Sequence, residues 1–352
     1  LIKSLLITLV CALVLTVTGT GLWAWQGLQS LHAPVSLDEP VLFEVPSGSA
    51  FGHVADAMTA NGLVQDSFWL KLHARVYPEH ARIKAGEYEF VSGMSANDML
   101  QNMVDGRIKT WSVQFIEGWR FSDVREVLAG NDRLKVTTGD WSDEQVMAAL
   151  GAENEHPEGR FFPDTYLYSS KDSDLDVLRR AFEKMNLVLA EEWENRAEGL
   201  PYESAYEALI MASIVERETG VAHERDEVAG VFVRRLQRGM RLQTDPTVIY
   251  GMGNQYQGRI GRKDLQTMTP YNTYRISGLP PTPIALPGRE AIHATLNPGE
   301  GDALYFVAKG DGTHQFSRSL KEHQKAVRAY QLKRRSDYRS SPPPTPDQEE
   351  QE

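Results

Sequence analysis

Cysteine is nearly absent from this 352-residue chain: Cys11 is the only one. No intrachain disulfide can form, and no cluster of thiolates can hold a metal. Basic charge is also short, with 37 Lys and Arg against 48 Asp and Glu, a net charge of −11. That balance argues against nucleic acid as a main partner, because phosphate binding needs a basic patch to release counterions. Several catalytic templates are missing as well: no G-x-S-x-G, no Walker-type phosphate loop, no H-E-x-x-H and no clean G-x-G-x-x-G. The histidines are scattered; His314 and His323 stand nine apart and no His-x-x-x-His pair occurs, so neither a metal site nor a cofactor is expected.

Charge is also missing from the start of the chain. Between Lys3 and Asp38 the only titratable groups are Cys11 and His32. Leu5 to Trp25 is almost wholly apolar, and a helix of that length rises about 30 Å, enough to cross a bilayer core. Trp23 and Trp25 stand at its far end, where indole rings favour the interface. Lys3 is the only Lys or Arg before Lys71, so the positive-inside rule puts residues 1–3 in the cytoplasm and everything after the helix outside it. The expectation is a retained single-pass anchor over residues 4–25 in the inner (cytoplasmic) membrane. A cleaved signal peptide is the alternative, but "GLWAWQG" is a poor cleavage site.

Three strand-turn-helix units follow a short linker, residues 26–40, that contains Pro34 and Pro40. They are "LFEVPSGSAFGHVADAMTANGLV", "GEYEFVSGMSANDMLQNMVDG" and "VQFIEGWRFSDVREVLAG". Tyr88 and Phe90 alternate as in a half-buried strand, and Val124, Val127 and Leu128 recur at helical spacing. With a further helix at Ser67 to Val76, residues 41–105 read as a β-α-α-β module. That is the layout of small LysM-like glycan-binding modules; a mere spacer is the plainer reading. Residues 106–335 read as a mixed α/β domain: a long amphipathic helix from Asp174 to Ala197, another over "ERDEVAGVFVRRLQRGM" closed by Gly239, and a hairpin over "ALYFVAKGDGTHQFS". Residues 336–352 are Pro-rich and acidic and read as a disordered tail. The fold class expected is α+β.

One helix stands apart. In "EALIMASIVERETG", Ala208 to Val215 carries no charge at all, so the helix is apolar on every face and should cross a domain interior. It ends in Glu216, Arg217 and Glu218. Two steps of a helix separate Glu216 from Glu218 by about 200°, so they cannot face each other. A carboxylate set against apolar surroundings holds its proton more tightly and can serve as a general acid near neutral pH; pairing with Arg217, Arg225 or other basic residues is the alternative. Downstream, Asp245-Pro246 reads as a turn or strand start. Tyr271, Asn272, Thr273 and Tyr274, followed by Pro280, Pro281, Pro283 and Pro287, suit a rigid sugar-binding cleft, or else a rigid surface loop with a core Tyr pair.

Taken together, "MASIVERET", "RGMRLQTDPTVIYGMG", "YNTYRISGLPPTPIALPG" and "YFVAKGDGTHQFS" resemble the YceG-like family of endolytic murein transglycosylases. The resemblance implies a lyase that cuts the β-1,4 bond between N-acetylmuramic acid and N-acetylglucosamine in nascent peptidoglycan. No water is used: the muramyl C6 hydroxyl attacks, leaving a 1,6-anhydro end. It places the catalytic glutamate at Glu218, makes residues 106–335 the catalytic domain, and implies partnership with cell-wall synthases such as penicillin-binding proteins. Glu216, Asp245, Tyr271, Asn272, Thr273 and Tyr274 are the supporting or substrate-binding candidates. A hydrolase of the same polymer and a non-catalytic glycan-binding scaffold remain as rivals.

Overall fold

The computed structural model describes residues 2–332; the expected tail, 336–352, lies outside the described residues. The chain divides into two compact units. One runs to Trp111 and takes in Leu167–Lys171; the other comprises Ser112–Tyr166 and the chain from Asp172 onward.

The first unit opens with helix α1, Ile2–Ser30. Within it, Leu6–Ser30 is long and apolar enough to cross a membrane. The helix does not stop at residue 25. No proline occurs before Pro34, and the helix runs through Gly27 to Ser30, so the first residues of the expected linker are helical. The rest of that linker is tied down rather than free. Leu31 is buried, the Val35 N–H donates to the Met94 carbonyl, and the Gly93 N–H donates to the Val35 carbonyl. Near its end α1 meets two aromatic rings of the module, Trp23 lying 4.7 Å from Trp69 and 5.8 Å from Phe68. Gly27 permits this approach, since a Cβ there would overlap the Trp69 indole.

Then come β1 (Val41–Val45), α2 (Phe51–Ala60), α3 (Ser67–Val76), β2 (Gly86–Phe90) and α4 (Ala96–Asp105). The two strands pair antiparallel, from Val41 opposite Phe90 to Val45 opposite Gly86. Their alternation sends Phe43, Val45, Tyr88 and Phe90 inward against Val54, Met58, Leu70 and Met99. Ser95 and Asp98 close α4 with a reciprocal cap: each side chain accepts the other residue's backbone N–H. The chain divides after Trp111 rather than at 105, because Ile108 still packs on this core and the Lys109 N–H donates to the Glu87 carbonyl.

The second unit is mostly helical with short strands. It contains β3 (Trp111–Gln114, from Ser112), α5 (Phe121–Ala129), α6 (Asp143–Ala149), β4 (Thr165–Tyr168, to Tyr166), α7 (Asp174–Glu194) and α8 (Ala205–Glu218). After these come α9 (Arg225–Gln237), α10 (Asp245–Met252), α11 (Arg262–Gln266), α12 (Arg289–Leu296), β5 (Tyr305–Ala308), β6 (His314–Ser317) and α13 (Leu320–Tyr330). β3 pairs with β4, and β5 with β6 as an antiparallel hairpin.

α8 runs through the middle of this unit, packed by α7, α9, α10 and α12. Every residue from Ala208 to Val215 is buried. Each of the large ones, such as Leu209, Met211 and Ile214, contributes about 1.5–3 kcal/mol by leaving water. The one polar side chain inside the run, Ser213, is satisfied twice: its hydroxyl donates to the Ile210 carbonyl and accepts the Ile284 N–H. One expectation fails here. Asp245-Pro246 begins a helix, not a turn or strand, with Thr244 as N-cap; proline fits the first helical turn, where its missing N–H costs no bond.

Candidate functional site

The helix α8 ends abruptly. Thr219 turns to an extended backbone (φ −142°), so Glu218 is the last helical residue. Its carboxylate opens on a cavity of about 550 Å³ that Arg235, Gln243, Asp245, Tyr274 and His314 also line, with Phe306 and Tyr305 on the apolar side. The Thr244 hydroxyl donates to Glu218 Oε2 at 2.6 Å. Burial pushes the Glu218 carboxyl above its ordinary range; the Thr244 bond opposes this, Asp245 adds to it, and His314 and Arg235 oppose it. A carboxyl so placed holds its proton more tightly than a solvated one, the direction a general acid needs.

Glu216 points elsewhere. It accepts the Gly288 N–H at 3.0 Å and has no salt bridge among the described residues. Burial raises its pKa too, with Glu117 contributing, but it does not open on this cavity. The wide angle expected between the two glutamates is what the structure has. Neither arginine considered as a partner pairs with them: Arg217 donates to the Gly118 carbonyl and Arg225 pairs with Glu290.

The other candidates divide. Asp245 and Tyr274 stand in the cavity with Glu218, and the Tyr274 hydroxyl donates to Asp245 Oδ1 at 2.6 Å. Tyr271, Asn272 and Thr273 do not line it. Asn272 is buried; its amide donates to the Asp264, Leu265 and Thr267 carbonyls, and its Oδ1 accepts the Tyr274 N–H. Thr273, fully buried, accepts the Thr244 N–H on its hydroxyl. Tyr271 bonds Thr282 and packs against Tyr250. These three hold the segment that carries Tyr274, and Thr273 ties it to Thr244; the cleft expected from them is a scaffold at those positions.

Arg235, Gln243 and His314 are among the cavity-wall residues that the sequence reading missed. Arg235 is buried and donates to the Leu304, Arg241 and Leu242 carbonyls, a fixed positive charge held by backbone. Gln243 has a left-handed backbone (φ 54°), which costs a residue with a Cβ about 1–2 kcal/mol. His314 and its partner Glu224 are ninety positions apart, and no local pattern links them. A second cavity of similar size, lined by Glu192, Arg225, Arg289, Glu290 and His293, offers less chemistry, because those charges already pair with one another.

The model of the YceG-like family matches residues 43–329. The chain belongs to the YceG-like family. Among its relatives, the endolytic murein transglycosylase of Bacillus subtilis (strain 168) is 31% identical over 328 residues, 86% of this chain and 88% of that protein. The endolytic murein transglycosylase of Streptococcus pneumoniae (strain D39) is 24% identical over 366 residues, 93% of this chain and 65% of its own length. A 2.6 Å crystal structure of a YceG-like protein from Listeria monocytogenes superposes with a TM-score of 0.53 at 28% identity, covering 82% of this chain and 99% of that one.

Proposed function

We propose that this YceG-like chain is an endolytic peptidoglycan transglycosylase, a lyase in which Glu218 is the catalytic residue. One observation carries the assignment of the residue. Glu218 is the carboxyl that the buried helix α8 delivers to the cavity, with its proton held by burial. The names of the relatives support the substrate class.

In this reading Glu218 protonates the oxygen that leaves when the MurNAc-β-1,4-GlcNAc bond breaks. Positive charge then develops at the anomeric carbon, and Asp245, at the cavity rim and bonded to Tyr274, is the anion near it. The Glu218 carboxylate next takes the proton of the C6 hydroxyl, whose oxygen closes on C1. The products are a 1,6-anhydro-MurNAc end and a free GlcNAc 4-hydroxyl, with no water consumed. A glycosidase that uses two acting carboxylates places them on opposite sides of the bond; here Glu216 faces away and is not such a partner, and the second acid in the cavity, Asp245, is tied to the Tyr274 hydroxyl. Tyr274, Tyr305 and Phe306 supply the flat surfaces on which sugar rings stack.

The β1-α2-α3-β2 module is proposed as the LysM-like glycan-binding part, and α1 as the inner-membrane anchor that keeps residues beyond it outside the cytoplasm. Cutting of nascent strands next to the synthases that extend them is proposed with it, on the family resemblance alone.

Glu218→Gln keeps the shape and removes the proton. It should fold normally, still bind glycan strands, and lose at least about a thousandfold in turnover, within the usual contribution of one general acid and base. Glu216→Gln should retain most of the rate. A Glu218→Gln protein that still cleaves strands while Glu216→Gln does not would reverse the assignment.

A further inference from the structure

Glu218 is left as an anion midway through the proposed reaction, and its surroundings pose a problem. Asp245, on α10, is a like charge beside it. From its own helix nothing helps: Arg217 turns to the Gly118 carbonyl and Glu216 to the Gly288 N–H. Thr244 supplies one hydrogen bond. The basic side chains set against Glu218 come from other elements, Arg235 of α9 and His314 of β6, with His323 of α13 also on the cavity wall. Arg235 is spent on three backbone carbonyls.

His314 is held in an unusual way for a strand residue. Its ring Nδ1 lies 2.8 Å from Glu224 Oε2, and its backbone N–H donates to both oxygens of the same carboxylate, at 2.9 and 3.1 Å. Both side chains are nearly sealed, 9% and 8% exposed. Phe306 stands edge-on to the ring and Phe316 packs beside it. Glu224 therefore fixes the ring with Nδ1 as donor. Nε2, on the other side of the ring, has no partner among the described residues, yet it is not one of the sealed polar atoms, and His314 lines the Glu218 cavity.

We propose that the Glu224–His314 pair is a positioning device for Glu218: Glu224 stabilises an imidazolium at the cavity wall, and that charge steadies the Glu218 carboxylate between its two proton transfers. The inference rests on Glu218 being the acting glutamate of a transglycosylase. It assigns no proton transfer to His314; the proton that leaves Glu218 for the glycosidic oxygen is replaced by the one from the C6 hydroxyl. Without the imidazolium, Asp245 acts on the anion less opposed, so Glu218 gives up its proton less readily.

The test is the pH dependence of strand cleavage by the full-length protein in lipid nanodiscs, with purified peptidoglycan as substrate. The alkaline limb reports loss of the Glu218 proton. His314→Gln should form the same product more slowly, by about tenfold or more, with the alkaline limb moved up by about one pH unit, a tenfold change in that proton affinity. His314→Lys returns a fixed cation and should recover part of the rate. Glu224→Gln should move the limb the same way by less, and it decides the matter if His314→Gln melts early. A role confined to clamping the hairpin onto the helix start would lower thermal stability and leave the limb in place. An unmoved limb in the folded variants, with no recovery in His314→Lys, overturns the proposal. If instead Glu218→Gln cleaves like the wild type, the transglycosylase reading fails first, and the two failures are separable.

Discussion

At the scale of the residue, burial tightens a carboxyl's hold on its proton unless hydrogen bonds outweigh it, as those from Thr137 and Thr138 do at buried Asp174. Glu158 shows this apart from the cavity. It is 4% exposed, accepts the Phe121 N–H and the Tyr250 hydroxyl, and burial pushes its carboxyl up to about 7. The folded protein thus binds a proton there that the unfolded chain releases nearer 4.5. Stability from this group is fully present below the unfolded value and is lost as pH rises through about 7. Glu158→Gln, which cannot ionise, should gain on the wild type by about 3 kcal/mol between pH 4.5 and 8, measured by denaturant unfolding at each pH. A difference that stays flat across that range would contradict the assignment. None of this is legible in the sequence, where Glu158 is one acid among many. Glu218 was more legible, because an uncharged run leads straight into it. Asn272 and Thr273 misled: amide and hydroxyl groups beside aromatics fit a sugar, but here their partners are backbone groups, and only the fold reveals that such groups are already satisfied.

At the scale of the element, α8 is the part read most directly. Eight uncharged residues exclude a surface helix, and all eight are buried. The helix holds Glu218 by being fixed along its length, so damage inside it should appear as lost stability. Met211→Ala, at a fully buried position against the surrounding helices, should cost about 2–5 kcal/mol in denaturant unfolding; a cost under about 1 kcal/mol would mean that α8 is not the clamped core described. Helix α10 was misread for a definite reason. Asp-Pro is common both in turns and at helix starts, and only the Thr244 cap with its hydroxyl partners decides between them. The end of α1 was set too early for a similar reason. A fall in hydropathy marks where a bilayer can end, but not where a helix must: α1 runs on through Gly27 to Ser30, and the first proline is Pro34.

At the scale of the whole molecule, the chain forms two compact units, one with the long apolar helix and the β1-α2-α3-β2 module and the other mostly helical. The Glu224–His314 contact escaped the sequence reading because ninety residues separate the partners. The central claim is chemical: one glutamate in a 550 Å³ cavity breaks a glycosidic bond without water. The product end tests it most directly. Glycan strands digested by the purified protein and by Glu218→Gln should be separated and weighed by mass spectrometry. The account predicts new 1,6-anhydro-MurNAc ends, lighter by one water than reducing ends, with the wild type and none above background with the variant. New reducing ends from the wild type, or anhydro ends formed equally by Glu218→Gln, would contradict it.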